Sequence, residues 1–404
     1  MSARGAGAGP DGAPSRRALL PALGALSAFG PISMDVYLPA LPALGRDLSA
    51  GDAVVQVTLS ACLIGLALGQ LLWGPISDRY GRRVPMLWAI AGFALASIAC
   101  AAAPTVGALI AARLLQGVCG SAGMAIGRAV VHDVYEGSAA IGAYATLMAI
   151  SGVAPVLAPL LGGALLTVTD WRGVFVALAA IGVALLLTAA LCVPETLPRA
   201  ERTTGGLGSD LRGLAAALSN GPFMVFAVTL SLTTCGFFTY LQMSSFVLQD
   251  EFGIDAQGFA LVFAVNAVGI VLGTRLSRRL AAHGHGRRLV VWTLSIGTIA
   301  AAALLLSALL HAALPWLLAP LFLLVAAHGV NNPTLTGLSL ARIAHGAGSA
   351  SAVLGTLAAL LGALVPPLLS GNGVSAVLMA STMLVATAAA LVVLATAGRR
   401  AART

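Results

Sequence analysis

The stretch Ala61–Leu87 reads A-C-L-I-G-L-A-L-G-Q-L-L-W-G-P-I-S-D-R-Y-G-R-R-V-P-M-L. Its first thirteen residues carry no formal charge and close an apolar run that occupies roughly 53–74. Four charges then crowd into a short segment, at Asp78, Arg79, Arg82 and Arg83, and a second apolar run begins at once and reaches about residue 103. Each run matches the ~20 apolar residues that cross a bilayer as a helix. Neither has the polar face that a helix on a soluble protein shows to water. The pattern is therefore span, short charged loop, span.

Outward from this pair the pattern repeats along the chain. Apolar runs fall near 18–41, 53–74, 84–103, 107–130, 139–166, 172–193, 222–248, 257–276, 289–310, 315–335, 349–369 and 374–396. The expected fold is an all-α polytopic membrane protein of twelve transmembrane helices in two six-helix halves. Residues 18–194 and 222–397 form the halves, 195–221 a cytoplasmic linker, and 1–17 and 398–404 cytoplasmic tails. Composition agrees: 59% of the 404 residues are hydrophobic and 9% charged, against ~25% charged in ordinary soluble domains. A disordered chain, a secreted disulfide scaffold and a typical cytosolic enzyme are excluded. Cys62, Cys100, Cys119, Cys192 and Cys235 stand singly in apolar stretches, so no metal site or disulfide framework is expected. The first apolar run is too long for a signal-peptide core and is read as a retained helix.

The net charge of +8 is a topological signal. Every basic residue is arginine, and with the N-terminus inside, nineteen of the twenty-two fall in inner segments; Arg46 and Arg172 lie in outer loops, and Arg113 lies within a span. Positively charged loops stay cytoplasmic, so both termini are expected inside and no nucleic-acid partner is needed. The halves also echo one another. Gly65 and Gly69 recur as Gly269 and Gly273, and Arg83 as Arg287, each 204 positions on. Small residues at this spacing let helices approach closely, and a duplicated unit places a transport site between its halves.

An ionisable side chain within a span costs about 2.5–3.5 kcal/mol on insertion scales and is a functional candidate by default. Asp35, in S-M-D-V-Y-L-P-A-L-P, lies in the outer half of span one, and Arg113, in A-A-R-L-L-Q-G, lies in span four. Withdrawal from water favours a neutral carboxyl and a nearby cation favours a carboxylate, so Asp35 is suited to loading and releasing a proton; the alternative is a bracket at the end of its span beside Pro39 and Pro42. Arginine does not deprotonate, so Arg113 would act by tuning a partner, or else sit in a structural ion pair. The positions 204 residues on are Thr239 and Leu317, which confines proton chemistry to the first half. Met34, Tyr37, Phe237, Phe238, Tyr240, Gln242, Phe246 and Asn266 are candidates for the substrate surface or for helix packing. His328, Asn331 and Asn332 interrupt span ten with polarity, lining a cavity or marking its inner end.

Three further motifs carry a resemblance. In the loop, Gly74 and Gly81 permit tight turns, Asp78 suits a helix start, and Arg79, Arg82 and Arg83 have Asp133 as an acidic partner; this segment is similar to the signature G-x-L-a-D-r-x-G-r-k-x-x-l of the major facilitator superfamily. Arg113–Gly117 (R-L-L-Q-G) resembles that family's R-x-x-Q-G. Gly152, Pro155, Pro159, Gly162 and Gly163, in G-V-A-P-V-L-A-P-L-L-G-G, resemble its antiporter-type motif, with Ala158 where glycine is usual. Finer runs at Asp35–Pro42, Gly127–Tyr135, Ser244–Gly253 and Phe263–Gly273 resemble the bicyclomycin/chloramphenicol resistance (Bcr/CflA) drug exporters. The resemblance implies proton-driven export of small hydrophobic or amphiphilic drugs, phenicols foremost, by a monomer in the bacterial inner membrane, with no cofactor beyond the proton gradient. Carriage of another metabolite or sugar, or of a drug such as bicyclomycin, is the alternative. No metalloprotease or serine-hydrolase motif is present, so an enzyme is not expected.

Overall fold

A computed structural model describes residues 16–202, 217–281, 286–343 and 347–401. Among them twelve helices are long and apolar enough to cross a membrane: α1 Ala18–Asp47, α2 Asp52–Tyr80, α3 Arg83–Ala101, α4 Val106–Val134, α5 Gly142–Leu165, α6 Trp171–Cys192, α7 Gly221–Glu251, α8 Ala256–Leu280, α9 Gly286–Leu309, α10 Leu314–Leu340, α11 Ala350–Asn372 and α12 Ala376–Thr396. No strand occurs among the described residues. The final helix continues to Ala401, past the boundary expected at 397, and the first begins at Arg16, inside the expected tail. Most of the tail (1–15), the centre of the expected linker (203–216), and residues 282–285, 344–346 and 402–404 lie outside the described residues.

Packing obeys the repeat. In the first half α2 packs on α4, α3 on α6 and α1 on α5; in the second, α8 packs on α10, α9 on α12 and α7 on α11. The halves meet through α2 on α11 and α5 on α8, a pair of contacts that six-span repetition exchanges. Glycine makes the tightest crossings possible. A Cβ on Gly117 would overlap the carbonyl oxygen of Cys62, and one on Gly65 that of Leu114, so α2 and α4 touch backbone to backbone. Gly273 and Gly329 do the same for α8 and α10 against Ala326 and Ile270.

Two helices break where their chemistry requires it. In α1 the regular helix ends at Asp35, a 3₁₀ turn covers Leu38–Ala40, and a short helix Leu41–Asp47 follows. Pro39 and Pro42 have no N–H to give the carbonyls of Asp35 and Leu38 four residues back, so those oxygens are freed from the helical ladder. At its far end α7 passes into a single π-helical turn, Val247–Glu251, a form often found at functional sites.

Candidate functional site

Outer and inner faces are named here by the arginine assignment. Arg113 is fully buried on α4. It donates through Nη1 to Gln116 Oε1 at 2.5 Å and to the Ser33 carbonyl at 3.3 Å. Its guanidinium lies over the Tyr37 ring at 4.7 Å and near the Phe175 ring at 5.6 Å. Gln116 in turn donates to Ser97 Oγ at 2.7 Å, and the Tyr37 hydroxyl bonds that of Thr58. Hydrogen bonds to a charged group contribute about 1.5–3 kcal/mol each and a desolvated cation–π contact about 2 kcal/mol, which together offset the insertion cost without a carboxylate. Arg113 forms no ion pair among the described residues, so the structural-ion-pair alternative does not describe it here. Its Nε and Nη2 have no hydrogen-bond partner.

Asp35 is 8% exposed. It lies within electrostatic reach of Arg113, of Cys62 on α2 and of Tyr240 on α7, yet makes no ion pair with a described residue. The helix terminus set by Pro39 thus puts an unpaired carboxyl between the halves, one step from a buried cation.

Tyr240, in the second half, lies within electrostatic reach of Asp35, its hydroxyl accepting from Asn266 Nδ2 at 3.1 Å and its ring stacked on Phe263 at 5.4 Å. Phe237 is half-buried beside it, 6.2 Å away, and stacks on His328 at 4.3 Å. Met34 is buried in the same apolar core. The other candidates serve packing in this conformation. Phe238 lies in the space that a Cβ on Gly362 would need, Gln242 donates to the Gly362 carbonyl at 2.7 Å, and Phe246 is buried in the core near the outer face.

A seam that the sequence reading missed closes the outer face. Ser245 Oγ donates to the Leu38 carbonyl at 2.7 Å, and Gln249 Nε2 to the Pro39 carbonyl at 3.0 Å. The acceptors are on the turn that follows Asp35. Around them Arg46 pairs with Asp250 at 2.9 Å, Ser370 donates to Gln56 at 3.0 Å, Gln257 to the Gly163 carbonyl at 3.3 Å, and the Val374 N–H to Asp52 at 3.0 Å. Hydrogen bonds between the halves gather here, so the molecule is closed on this side. The signal was available in the repeat: Arg46 and Asp250 are 204 residues apart, equivalent positions of opposite charge.

At the inner face Arg82, 7% exposed, gathers the loop. Its Nε reaches Asp133 at 2.9 Å, and its Nη1 donates to Ser77 Oγ at 2.9 Å and also pairs with Asp78. Burial alone would loosen the Arg82 proton, but the bonds to Asp133 and Asp78 outweigh it and raise its pKa above the ordinary value. Glu195 accepts from the Arg82 N–H at 2.8 Å, and Arg83 donates to the Ala190 carbonyl at 2.6 Å; Arg79 is exposed and lies 5.5 Å from the Tyr80 ring. Two expectations need correction. Asp78 is in the last turns of α2 and not at a helix start, because α2 continues to Tyr80 and its side chain is drawn to Arg82 four residues on. Gly74 is likewise helical, and the turn is made at Gly81 alone, with φ +94°.

In the α5 motif, Gly162 meets the Val36 carbonyl and Gly163 approaches Ala260 on α8. Pro155 and Pro159 lie within the helix, and Gly152 has no neighbour in reach of a Cβ.

Known proteins fit this geometry. A protein of Bacillus subtilis (strain 168) named as an uncharacterized MFS-type transporter, YdgK, is 38% identical over 372 residues, 92% of each chain. A bicyclomycin resistance protein homolog of Haemophilus influenzae is 26% identical over 86% of this chain and 87% of its own. The multidrug resistance protein MdtL of Escherichia coli O45:K1 is 29% identical over 60% of this chain and 61% of its own. Among solved structures, a bacterial homolog of the human lysosomal transporter Spinster, inward-facing and unoccupied, superposes with TM-score 0.73 at 18% identity, covering 97% of this chain and 96% of that one. The family pattern described as Major Facilitator Superfamily matches residues 23–366, and the chain, a multi-pass membrane protein and not an enzyme, belongs to that family of transporters.

Proposed function

We propose that the chain is a proton-coupled exporter of small hydrophobic or amphiphilic drugs in the bacterial inner membrane, with phenicols as the leading substrates. The observation that carries this reading is the pair of buried ionisable groups, Asp35 and Arg113, within electrostatic reach of each other and in no ion pair with a described residue. A permanent ion pair would lock both charges. An unpaired carboxyl beside a fixed cation is instead free to exchange a proton, and its occupancy changes the local field by one charge. The relatives named for bicyclomycin and multidrug resistance support the substrate class.

In the proposed cycle residues 18–194 and 222–397 rock as two units joined by 195–221, both termini inside. Drug enters from the cytoplasm or inner leaflet while Asp35 is deprotonated. It leaves through the outer face after the seam at Leu38 and Pro39 opens, and a proton then loads Asp35 and permits return. Arg82 and its acids hold the inner loop to the first half. Drug-susceptibility panels in cells lacking their own exporters test this directly. Wild type raises phenicol tolerance and Asp35→Asn does not; equal tolerance from both would contradict the reading. Bicyclomycin belongs in the same panel, because one relative carries its name.

A further inference from the structure

The hydrogen bonds that lead away from Arg113 run in one direction only. A guanidinium donates and never accepts, so the Gln116 atom that faces Nη1 at 2.5 Å is the carboxamide oxygen. That leaves the Gln116 NH2 for Ser97 on α3, whose Oγ accepts from it at 2.7 Å. The Ser97 hydroxyl gives its own proton to the Phe93 carbonyl, 2.8 Å away on the preceding turn. The Cys100 thiol lies 4.0 Å from the same Gln116 oxygen; a thiol is a weak donor and leaves this order unchanged. Ser97 and Gln116 are both fully buried, so neither bond competes with bulk water. A carboxamide has two nearly isosteric orientations, and turned over this one would set its NH2 against the guanidinium N–H groups. Ser97 holds the orientation that Arg113 needs.

The repeat supplies an independent observation. The positions 204 residues after Ser97, Arg113 and Gln116 are Ala301, Leu317 and Pro320, all buried. They stand on α9 and α10, which pack together as α3 and α4 do. Where the cation is absent, both members of its relay are apolar. Ala301 fills the equivalent packing position without a hydroxyl, so this helix crossing does not by itself require one. We infer that Ser97 is a positioning residue for Arg113: through the Gln116 carboxamide it keeps the guanidinium over Tyr37 and Phe175 with Nε and Nη2 uncommitted. The inference rests on the proton-coupled reading of Asp35 and Arg113, and it adds a residue that touches neither of them.

Gradient-driven chloramphenicol flux in proteoliposomes, normalised to inserted protein, is the readout, with thermal melting in detergent to report folding. Ser97→Ala should lower the flux about tenfold. Ser97→Thr, which keeps the hydroxyl, should stay within about threefold of wild type. Gln116→Leu should be at least as slow as Ser97→Ala, and the double variant no slower than Gln116→Leu alone, because a residue that acts only through Gln116 then has nothing left to hold. Independent packing defects would instead multiply. Wild-type flux in Ser97→Ala overturns the positioning role alone. So does a loss in Ser97→Thr as deep as in Ser97→Ala, or a double variant slower than Gln116→Leu by the full Ser97→Ala factor. Absence of gradient-driven flux in wild type overturns the proton-coupled phenicol reading and the positioning role with it.

Discussion

At the scale of single residues, the first half owes its chemistry to a cation held by rings and carbonyls rather than by an acid. Arg113 spreads its charge over Tyr37 and Phe175 while its fork reaches Gln116 and Ser33. Lysine offers a compact ammonium and no planar fork. Arg113→Lys is therefore expected to lower gradient-driven export at least tenfold with membrane content unchanged, measured as transport normalised to inserted protein; near-wild-type export would show that charge alone suffices. Asp35 and Arg113 were legible in the sequence because ionisable groups stand out against an apolar background. Their lack of a bond to each other was not, since that depends on where Pro39 ends the helix and how α1 lies against α4. Ser97 was invisible for a related reason, and Gln116 stood out only as a letter of R-x-x-Q-G, not as the acceptor that holds Arg113. Small polar residues are common in membrane helices, and only contact shows which ones hold a charge.

Among the helices, glycine decides which crossings close. Gly65→Val and Gly117→Val put branched side chains where α2 and α4 share backbone contact. Each should cost at least the ~1–3 kcal/mol of an overpacked core, read as a lower melting temperature in detergent. Gly152 has open space around its Cβ position and helical backbone. Gly152→Ala should be neutral or stabilising by up to about 1 kcal/mol, since alanine is the better helix former. A large loss of stability there would mean that Gly152 serves a tighter conformation than this one. Helix count and span positions followed from the spacing of apolar runs. The breaks in α1 and α7 did not, although Pro39 and Pro42 were in plain view, because a proline in a membrane helix can kink, break or pass unnoticed according to its neighbours. Asp78 failed as a helix start for a local reason: α2 outruns its apolar stretch by several residues to bring Asp78 and Arg82 together.

Across the whole molecule, the repeat places equivalent positions of the two halves opposite each other, and the outer face is closed where they meet. The contributions are unequal. Arg46 and Asp250 are largely exposed, with side chains 68% and 47% accessible, and such pairs contribute about 0–1 kcal/mol. Ser245 is buried and Gln249 half-buried, and both hold carbonyls next to Asp35. Ser245→Ala combined with Gln249→Leu should speed alkylation of a cysteine placed at Leu41 in a cysteine-free background, whereas Arg46→Ala should change it less than twofold; the reverse ranking would assign closure to the surface charges. Asp35 is joined to this seam through the turn that follows it, and in the proposed cycle the seam opens before the proton loads. The most direct measurement is phenicol flux in proteoliposomes under an imposed pH gradient, wild type beside Asp35→Asn. The account predicts gradient-driven flux in wild type only. Gradient-driven flux at the wild-type rate in Asp35→Asn would contradict it.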